Sequence, residues 1–331
     1  MLRVAMLSGW HVHARGYANE LRSLENVKIT AVWDEEPARG QLWAEELGAD
    51  FVADLETLLK RDDVDAVAVC TPTNMHRDVM VAAANAGKHI FTEKVMALTV
   101  KECQDIADAV KRAGVKFCIS FPHRTRPDLL FAKKVVDEKI IGDITLLRIR
   151  NAHNGAIANW LPDYFYDPVL CGGGAMIDLG AHGMYLSRWL MGTPKRITSM
   201  FNSFTGKPVE DNAISVIEFE NKGIAVTETG FVSTNSPFYM ELNGTEGHLF
   251  IGGPDNTIKL FSTKLNGGVP GWIKPIQLPA PLPSPIKQWV NGILNNTPIE
   301  FGLEEGIQLT ELMEGAYKSY KEGRTVEFPI K

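Results

Sequence analysis

Residues 3–34 read RVAMLSGWHVHARGYANELRSLENVKITAVWD. This stretch holds a short apolar run, a turn, an amphipathic segment that reaches about Leu24, and a second apolar run over residues 27–33. An acid, Asp34, follows directly. Strand, turn, helix, strand and acid in this order predict the βαβ unit of a dinucleotide-binding domain.

The same alternation continues as far as Phe121. Short apolar runs predict further strands at residues 50–52, 66–70, 89–92 and 115–121. Helical patterns precede them, at residues 36–47, 55–60, 76–86 and 100–113. Regular alternation of this kind indicates a parallel sheet with helices on both faces. We therefore expect residues 1–121 to form a doubly wound Rossmann domain.

After Phe121 the pattern changes. One predicted helix, residues 128–138, leads into strand-like runs at 144–152, 197–204, 213–219, 225–231, 239–243, 248–251 and 257–261. Consecutive strands with short polar turns predict a large, mostly antiparallel open sheet. A Pro- and Gly-rich surface loop (266–285), two helices (285–294 and 303–320) and a strand (325–329) complete the chain. The predicted fold class is α/β for the Rossmann domain, followed by an α+β domain over residues 122–331.

Composition limits the class of protein. The 331 residues are 45% hydrophobic and 22% charged, which is typical of a globular chain with two packed domains. The net charge is -6 and the Lys and Arg residues form no block, so we expect no nucleic-acid partner. The first apolar run is too short for a signal peptide or a membrane span. Because the four cysteines lie far apart in sequence, we expect reduced thiols in a cytoplasmic protein.

The turn after the first strand departs from the glycine-rich phosphate-binding pattern. The three glycine positions of G-x-G-x-x-G hold Ser8, Trp10 and His13, and one glycine, Gly9, stands between them. Phosphate must therefore bind at the helix amino terminus through other geometry. The alternative is a Rossmann-like domain that no longer binds nucleotide. On the first interpretation, the turn residues that contact the cofactor are Ser8, Gly9, Trp10, His11 and Val12.

Two further features favour a bound dinucleotide. Asp34 is placed to accept hydrogen bonds from the adenosine ribose hydroxyls, and Glu35 and Glu36 oppose a 2′-phosphate, so we expect NAD in preference to NADP. Open α/β sheets bind ligands at the carboxyl ends of their strands. The residues at these ends that we expect to contact the cofactor are Asp34, Glu35, Thr71, Pro72, Asn74, His76, Glu93 and Lys94.

A second informative stretch, CGGGAMIDLGAHG, covers residues 171–183. Three consecutive glycines allow the backbone to approach a ligand closely, and the apolar spacing after them predicts a helix ending near Gly192. Asp178 and His182 are four residues apart, so a helix places the carboxylate and the imidazole on one face. The pair is predicted to transfer protons. The alternative is a glycine-rich helix entry with a solvated polar pair.

These motifs occur in an order that resembles a known family. They are the opening βαβ pattern with Asp34, residues 70–76, residues 88–94, Arg124 with Pro127, residues 141–143, and Asp167-Pro168 before the three glycines with Asp178, Gly180 and His182. Together they resemble the glucose-fructose oxidoreductase/inositol dehydrogenase/MocA (Gfo/Idh/MocA) oxidoreductase family over nearly the whole chain. The resemblance implies NAD(P)-dependent oxidation or reduction of sugars, cyclitols or related polyols. It also implies a homo-oligomer, a dimer or a tetramer, built on the open sheet.

The resemblance assigns catalytic roles. Lys94, Asp178 and His182 fall on the catalytic lysine, aspartate and histidine of the family. On this assignment His182 accepts the hydroxyl proton, Lys94 stabilises the developing alkoxide, and Asp178 positions His182 or binds a second hydroxyl. Two positions depart from the family pattern. Val95 replaces the proline of a Glu-Lys-Pro turn, and Tyr185 stands where many relatives carry an acid.

Further residues complete the predicted site. Arg124 is expected to contact the cofactor. An aromatic face with hydrogen-bonding neighbours suits a polyol, and the substrate contacts are therefore expected from Lys94, His123, His153, Trp160, Tyr164, Asp178 and His182. We expect no metal site, because no H-E-x-x-H or Cys/His spacing accompanies His11 and His13.

Two other functions stay open at this point. The first is a relative that uses transient oxidation for epimerisation, elimination or glycoside cleavage. The second is a sensor that binds nucleotide or sugar without turnover. Complete catalytic residues favour an enzyme, whereas the altered glycine turn favours the sensor.

Overall fold

The computed structural model describes residues 1–265, 271–275 and 277–330. The chain forms two compact units. The first contains Met1–Phe121 and Pro283–Thr310, and the second contains Pro122–Leu282 and Glu311–Lys331. Within the described ranges, every helix is too short or too polar to cross a membrane.

The first unit alternates strands with helices, as the sequence predicts. Its elements up to residue 121 are β1 (Leu2–Leu7), α1 (Ala14–Arg22), β2 (Val27–Trp33), α2 (Pro37–Leu47), β3 (Asp50–Phe51), α3 (Leu55–Leu59), β4 (Ala66–Val69), α4 (His76–Asn85), β5 (His89–Thr92), α5 (Val100–Ala113) and β6 (Phe117–Ile119). The strands pair in parallel in the order β3-β2-β1-β4-β5-β6. This is the order of a doubly wound dinucleotide-binding sheet, so the predicted Rossmann fold is confirmed.

The local sequence explains several of these elements. β4 reads AVAV and is completely buried, as expected for a parallel strand covered by helices on both faces. α5 begins with a capping box between Thr99 and Glu102 and ends at Gly114, whose φ of 66° lies in the left-handed region. The strand order reverses between β1 and β4. In an open α/β sheet this reversal locates the ligand crevice at the carboxyl ends of the two strands.

The second unit contains an eight-stranded sheet. Its strands are β7 (Ile144–Ala152), β8 (Pro194–Asn202), β9 (Asn212–Phe219), β10 (Ile224–Gly230), β11 (Tyr239–Gly244), β12 (Gly247–Gly252), β13 (Thr257–Ser262) and β14 (Val326–Glu327). They lie in the order β13-β12-β11-β7-β10-β9-β8-β14, and every neighbouring pair except β7 and β10 is antiparallel. The predicted mostly antiparallel sheet is therefore confirmed.

Helices cover one face of this sheet. The helices that precede β8 are α6 (Pro127–Asp137), α7 (Pro168–Cys171) and α8 (Ala181–Met191). α8 packs on β7 and β10, and a Cβ atom at Gly183 would lie 3.2 Å from Thr227, so a small residue suits this contact. Alternate residues of β9 point to the opposite face, where Ile214 and Val216 remain exposed.

The last two helices divide between the units. α9 (Pro285–Asn295) packs against β5 and β6, and α10 (Leu303–Glu322) begins in the first unit and ends in the second. The predicted division at residue 121 assigned residues 283–310 to the second domain, whereas the structure places them in the first unit. The physical reason is apolar packing, because the fully buried Trp289 of α9 lies 5.7 Å from the ring of Phe91 in β5.

The predicted surface loop over residues 266–285 is described in part. Residues 266–270 and 276 lie outside the described residues. Residues 277–284 form neither helix nor strand, and α9 begins directly after them with Ser284 as its cap.

Candidate functional site

The turn after β1 keeps a special backbone conformation without its usual glycine. Ser8 has a φ of 74°, in the left-handed region that a glycine normally occupies. Gly9 donates its N–H to Asp34 Oδ2 at 2.8 Å. A Cβ atom at Gly9 would lie 3.2 Å from the ring of Trp43, so the turn packs closely on α2. The turn therefore keeps a left-handed residue and close packing on α2 although the glycine pattern is lost.

The backbone N–H groups of this turn are bonded within the unit. Trp10 N–H donates to Ser8 Oγ at 3.0 Å, and His11 N–H donates to the Cys70 carbonyl at 3.1 Å. His13, the residue before α1, donates its N–H to His11 Nδ1 at 3.2 Å. Side chains at non-glycine positions supply two of these three acceptors. A phosphate that accepts hydrogen bonds from these N–H groups must displace their present acceptors.

The predicted ribose contact, Asp34, has a partner that sequence reasoning missed. Its side chain is fully buried, and Arg39 of α2 contacts it through Nη2–Oδ1 at 2.6 Å and Nε–Oδ2 at 3.0 Å. Arg39 also pairs with Glu35 at 2.5 Å and with Glu36 at 3.2 Å. Gly40 lets α2 come this close, because a Cβ atom there would lie 2.6 Å from Asp34 Cβ. The three acids thus share one cation, which their positions three to five residues before Arg39 suggest in retrospect.

The residues after β4 divide between a surface turn and the interior. Pro72 and Asn74 belong to a short turn that leads into α4, and Asn74 is exposed. Thr71 is buried, and among the described residues its hydroxyl oxygen has no hydrogen-bond partner. His76 is also buried. Its Nδ1 lies 2.9 Å from the Val95 carbonyl and its Nε2 lies 3.2 Å from the Thr71 carbonyl, so His76 ties this turn to the segment after β5.

Glu93 is the centre of a buried polar group at the end of β5. Its Oε1 lies 2.7 Å from His13 Nδ1 and accepts a hydrogen bond from the Tyr17 hydroxyl, and its Oε2 accepts the Lys94 N–H at 2.7 Å. Burial raises the pKa of Glu93, but the imidazoles of His11 and His13 and the ammonium of Lys94 lower it more. The pKa therefore lies well below its ordinary value. Glu93 is a carboxylate at neutral pH.

Lys94, the predicted catalytic lysine, is buried beside this group. Lys94 belongs to the first unit and is 5% exposed. The Lys94–Val95 peptide is cis. The departure from the family's proline at Val95 thus coincides with a cis peptide in this chain.

In the second unit, the consecutive glycines pack against the protein itself. A Cβ atom at Gly173 would lie 1.9 Å from the Tyr317 hydroxyl, and one at Gly174 would lie 2.1 Å from the Glu210 carbonyl. Glu210 Oε1 accepts the N–H groups of Gly174 (2.8 Å) and Met176 (3.0 Å) and the Tyr317 hydroxyl (2.6 Å). The sequence suggests that these glycines admit a ligand, whereas the structure explains Gly173 and Gly174 by internal packing. Gly172 ends α7 with a φ of 80°, in the left-handed region that favours glycine.

The predicted helix after the glycines starts with a wider turn. Residues Met176–Gly180 form one π-helical turn, which contains Asp178, and α8 continues from Ala181. His182 is buried in the first turn of α8, and its Nδ1 lies 2.8 Å from the Tyr185 hydroxyl. His182 is therefore held by a residue three positions further along the same helix.

His123 completes the surroundings of His182. The two imidazole rings stack with centroids 4.3 Å apart and planes at 20°. The His123 backbone N–H donates to the Tyr185 oxygen at 3.2 Å. Tyr185 was noted in the sequence as a departure from the family. The structure gives it contacts to both histidines.

A second group contains the other aromatic candidates. His153 stacks on Phe231 with centroids 5.0 Å apart, and its centroid is 4.5 Å from that of the exposed Trp160. Burial lowers the pKa of His153, and the negative charge of Asp178 opposes that effect. Asp178 is thus electrostatically coupled to His153. Tyr164 packs with the apolar cluster around Phe231.

Arg124 was predicted to contact the cofactor. The structure places its guanidinium over the ring of Trp189 in α8, 5.0 Å from the centroid. This cation–π contact lies inside the second unit.

Two family models match consecutive parts of the chain. Residues 6–121 match the model described as an oxidoreductase family with an NAD-binding Rossmann fold, and residues 129–250 match the GFO/IDH/MocA C-terminal domain. A scyllo-inositol 2-dehydrogenase (NAD(+)) of Bacillus subtilis is 30% identical over 253 residues, which cover 73% of this chain and 70% of that protein. The chain belongs to the Gfo/Idh/MocA oxidoreductase family. The resemblance noted in the sequence is confirmed.

Other members of the Gfo/Idh/MocA family show its range. A 2,7-anhydro-N-acetylneuraminate hydratase of Mediterraneibacter gnavus is 30% identical over 244 residues, which cover 70% of this chain and 62% of that protein. A solved structure of levoglucosan dehydrogenase in complex with NADH and L-sorbose has a TM-score of 0.85 at 20% identity, over 100% of this chain and 99% of that chain. The structural likeness shows the shared fold. The two sequence relatives are matched over 62% and 70% of their own lengths.

Proposed function

We propose that this protein is an NAD-dependent oxidoreductase that transfers hydride between the nicotinamide cofactor and a CH–OH group of a sugar, a cyclitol or a related polyol. The observation that carries the proposal is the buried His182, whose Nδ1 lies 2.8 Å from the Tyr185 hydroxyl. A histidine held at one nitrogen presents the other to a proton in transfer. Membership of an NAD-binding oxidoreductase family supplies the class of reaction.

The first unit fits a dinucleotide. The strand order, the left-handed Ser8 and the buried Thr71 hydroxyl, which has no partner among the described residues, suit a polar ligand at the end of β1 and β4. We assign the cofactor contacts to the turn over residues 8–12, to Asp34 and to Thr71. When bound, the nicotinamide ring accepts or donates the hydride.

The side chains of the protein accept the proton and stabilise the negative charge that develops on the substrate oxygen. When His182 Nδ1 donates its hydrogen to the Tyr185 oxygen, Nε2 carries the lone pair that accepts the substrate hydroxyl proton. The Lys94 ammonium stabilises the alkoxide that develops. Asp178 positions His182 or binds a further substrate hydroxyl, the two roles that the family resemblance implies.

The test is a screen of sugars and cyclitols for NADH formation by the purified protein. Once a substrate is found, His182→Ala is expected to lower turnover by about a hundred- to ten-thousand-fold, the usual effect of losing a general base. Its NAD affinity and thermal midpoint should match the wild type. A folded variant with wild-type turnover contradicts the role of His182. NAD binding without turnover of any polyol favours the sensor function instead.

Transient oxidation is the second candidate, and the relatedness to a hydratase favours it. In that case the product forms with no net NADH, although the reaction still requires bound NAD. Product analysis of the same screen by mass spectrometry separates the two reactions. Net accumulation of NADH with an oxidised product excludes transient oxidation.

We further propose a cytoplasmic homo-oligomer, either a dimer or a tetramer. All four cysteines are buried thiols outside disulfide bonds, which suits a reducing compartment. The uncovered face of the eight-stranded sheet exposes apolar side chains, namely Leu146, Met200, Ile214, Val216 and Ile224. A sheet face of this kind supports association of two copies.

A further inference from the structure

Three side chains with metal-ligand chemistry lie together in the first unit. His11 and His13 belong to the turn after β1, and Glu93 follows β5. One ligand atom of each residue lies within 4.8 Å of the others. Glu93 Oε1 is 2.7 Å from His13 Nδ1 and 3.8 Å from His11 Nδ1. Sequence spacing could not reveal this group, because 80 residues separate His13 from Glu93.

A buried carboxylate and two imidazoles meet in this group. The Glu93 carboxylate lies 2.7 Å from His13 Nδ1 and 3.8 Å from His11 Nδ1. Glu93 and His11 are buried, so solvent screens charges there poorly, and a buried carboxylate favours a bound cation. The His13 backbone N–H donates to His11 Nδ1 at 3.2 Å, and an ion at this nitrogen takes the place of that donor.

We propose that His11, His13 and Glu93 bind one transition-metal ion with the preferences of Zn²⁺. Two imidazoles and one carboxylate form a known ligand set of open zinc sites, and imidazole disfavours Mg²⁺ and Ca²⁺. Ligand atoms at about 2.1 Å from a tetrahedral ion lie about 3.4 Å apart. The 3.8 Å between His11 Nδ1 and Glu93 Oε1 is close to this value. The site goes beyond the proposed oxidoreductase activity and does not depend on it.

The surroundings hold one ligand firmly and leave another adjustable. Glu93 is fixed by the Tyr17 hydroxyl and by the Lys94 N–H at 2.7 Å, and Tyr17 in turn lies 2.8 Å from Ser120 Oγ. Such outer hydrogen bonds orient a metal-binding carboxylate. The His13 side chain is 48% exposed, so its ring has room to turn by the small distance that coordination requires. Three protein ligands leave a coordination position for water or an anion.

Calorimetric titration of the chelator-stripped full chain tests the site. We expect one Zn²⁺ per chain and no binding of Mg²⁺. His13→Ala removes a ligand that is half exposed and should weaken Zn²⁺ binding by about a hundred-fold or more, since loss of an outer-shell partner already costs about 10- to 100-fold. The matched control is His248→Ala, a histidine of β12 in the second unit, which should bind Zn²⁺ as the wild type does.

Cobalt substitution gives a second measurement that does not depend on the variants. Co²⁺ bound by imidazole and carboxylate in the wild type should show visible ligand-field absorption, and stoichiometric Zn²⁺ should abolish it. Glu93→Gln should lose the absorption. Failure of the wild type to bind stoichiometric Zn²⁺, or unchanged affinity in folded His13→Ala, overturns the proposal. The group is then a hydrogen-bond network around Glu93 only.

Discussion

Tyr185 illustrates at the scale of one residue how a neighbour sets the chemistry of another. Its hydroxyl contacts His182 Nδ1 and accepts the His123 N–H. Tyr185→Phe removes this oxygen and keeps the ring. A neutral hydrogen bond contributes about 0.5–1.5 kcal/mol, so turnover is expected to fall by about two- to tenfold. Because we propose that Tyr185 acts through His182, kcat should fall while KM stays the same.

Steady-state kinetics on the first substrate found checks this prediction. The thermal midpoint and the NAD affinity of Tyr185→Phe serve as controls, and both should equal those of the wild type. A roughly two- to tenfold rise of KM with unchanged kcat would show that Tyr185 binds substrate rather than positions His182.

Arg39 has a similar role for Asp34. The proposed preference for NAD over NADP rests on acids that we expect near the adenosine ribose, and Arg39 neutralises part of their charge. We expect the wild type to bind NAD more tightly than NADP. Arg39→Gln leaves Asp34, Glu35 and Glu36 without this cation and should increase the preference, because a 2′-phosphate then meets uncompensated carboxylates.

Calorimetric titration of both dinucleotides measures this ratio. Lys60→Gln is a suitable control, since Lys60 pairs with Glu56 on the surface of the same unit. A wild type that prefers NADP, or an unchanged ratio in Arg39→Gln, would refute the electrostatic account.

At the scale of the element, the start of the helix that carries His182 depends on Glu210. One oxygen, Oε1, accepts two backbone N–H groups and the Tyr317 hydroxyl. Burial raises the pKa of Glu210 and outweighs the hydrogen bonds that lower it. An acid with a raised pKa in the folded state stabilises the fold fully below its ordinary pKa of 4.5, and this contribution is lost as the pH rises through the folded value.

Glu210→Gln separates charge from hydrogen bonding. The amide oxygen can accept the same three donors, and the variant cannot ionise. Between about pH 4.5 and neutral pH, the thermal midpoint of the wild type should therefore fall relative to that of Glu210→Gln. Glu210→Ala leaves buried donors without an acceptor and should cost at least about 1–3 kcal/mol of stability. Calorimetric melting across this pH range checks both, and parallel curves for wild type and Glu210→Gln would contradict the assignment.

For the molecule as a whole, we propose that the open sheet face of the second unit mediates association. The rows across β7, β10, β9 and β8 combine apolar side chains with ion pairs, such as Arg148 with Glu228 and Arg196 with Glu218. Ile214 and Val216 are 39% and 42% exposed near the middle of these rows. A self-complementary face of this composition favours a symmetric oligomer.

The double variant Ile214→Glu with Val216→Glu should convert the oligomer to a monomer, because it places four like charges across a two-fold interface. Leu42→Glu is the matched control, as Leu42 is 69% exposed on α2 of the first unit. Analytical ultracentrifugation measures the mass. A monomeric wild type, or an oligomer that survives the double substitution, would exclude this face as the interface.

The architecture of both sheets followed from local patterns in the sequence. Strands and helices alternate along residues 1–121, and the spacing of their apolar residues reflects which faces are buried. In the consecutive strands after Phe121, apolar and polar residues alternate, as expected for an antiparallel sheet covered on one face. Family motifs also predict Lys94, Asp178 and His182 as catalytic residues, and this assignment stays a prediction. The sheet architecture depends on residues that are neighbours in sequence, which is why sequence patterns were sufficient to predict it.

Which side chains act together depends on contacts between distant parts of the chain. Glu93 meets His13 and Tyr17, and Glu210 meets Tyr317, across separations of 76 to 107 residues. Residues 283–310 belong to the first unit for the same reason, because they pack against elements that are distant in sequence. No periodicity encodes such pairs, because they arise when the ends of distant elements are brought to one place by packing of the core. Their charge, burial and hydrogen bonding exist only after that packing has formed.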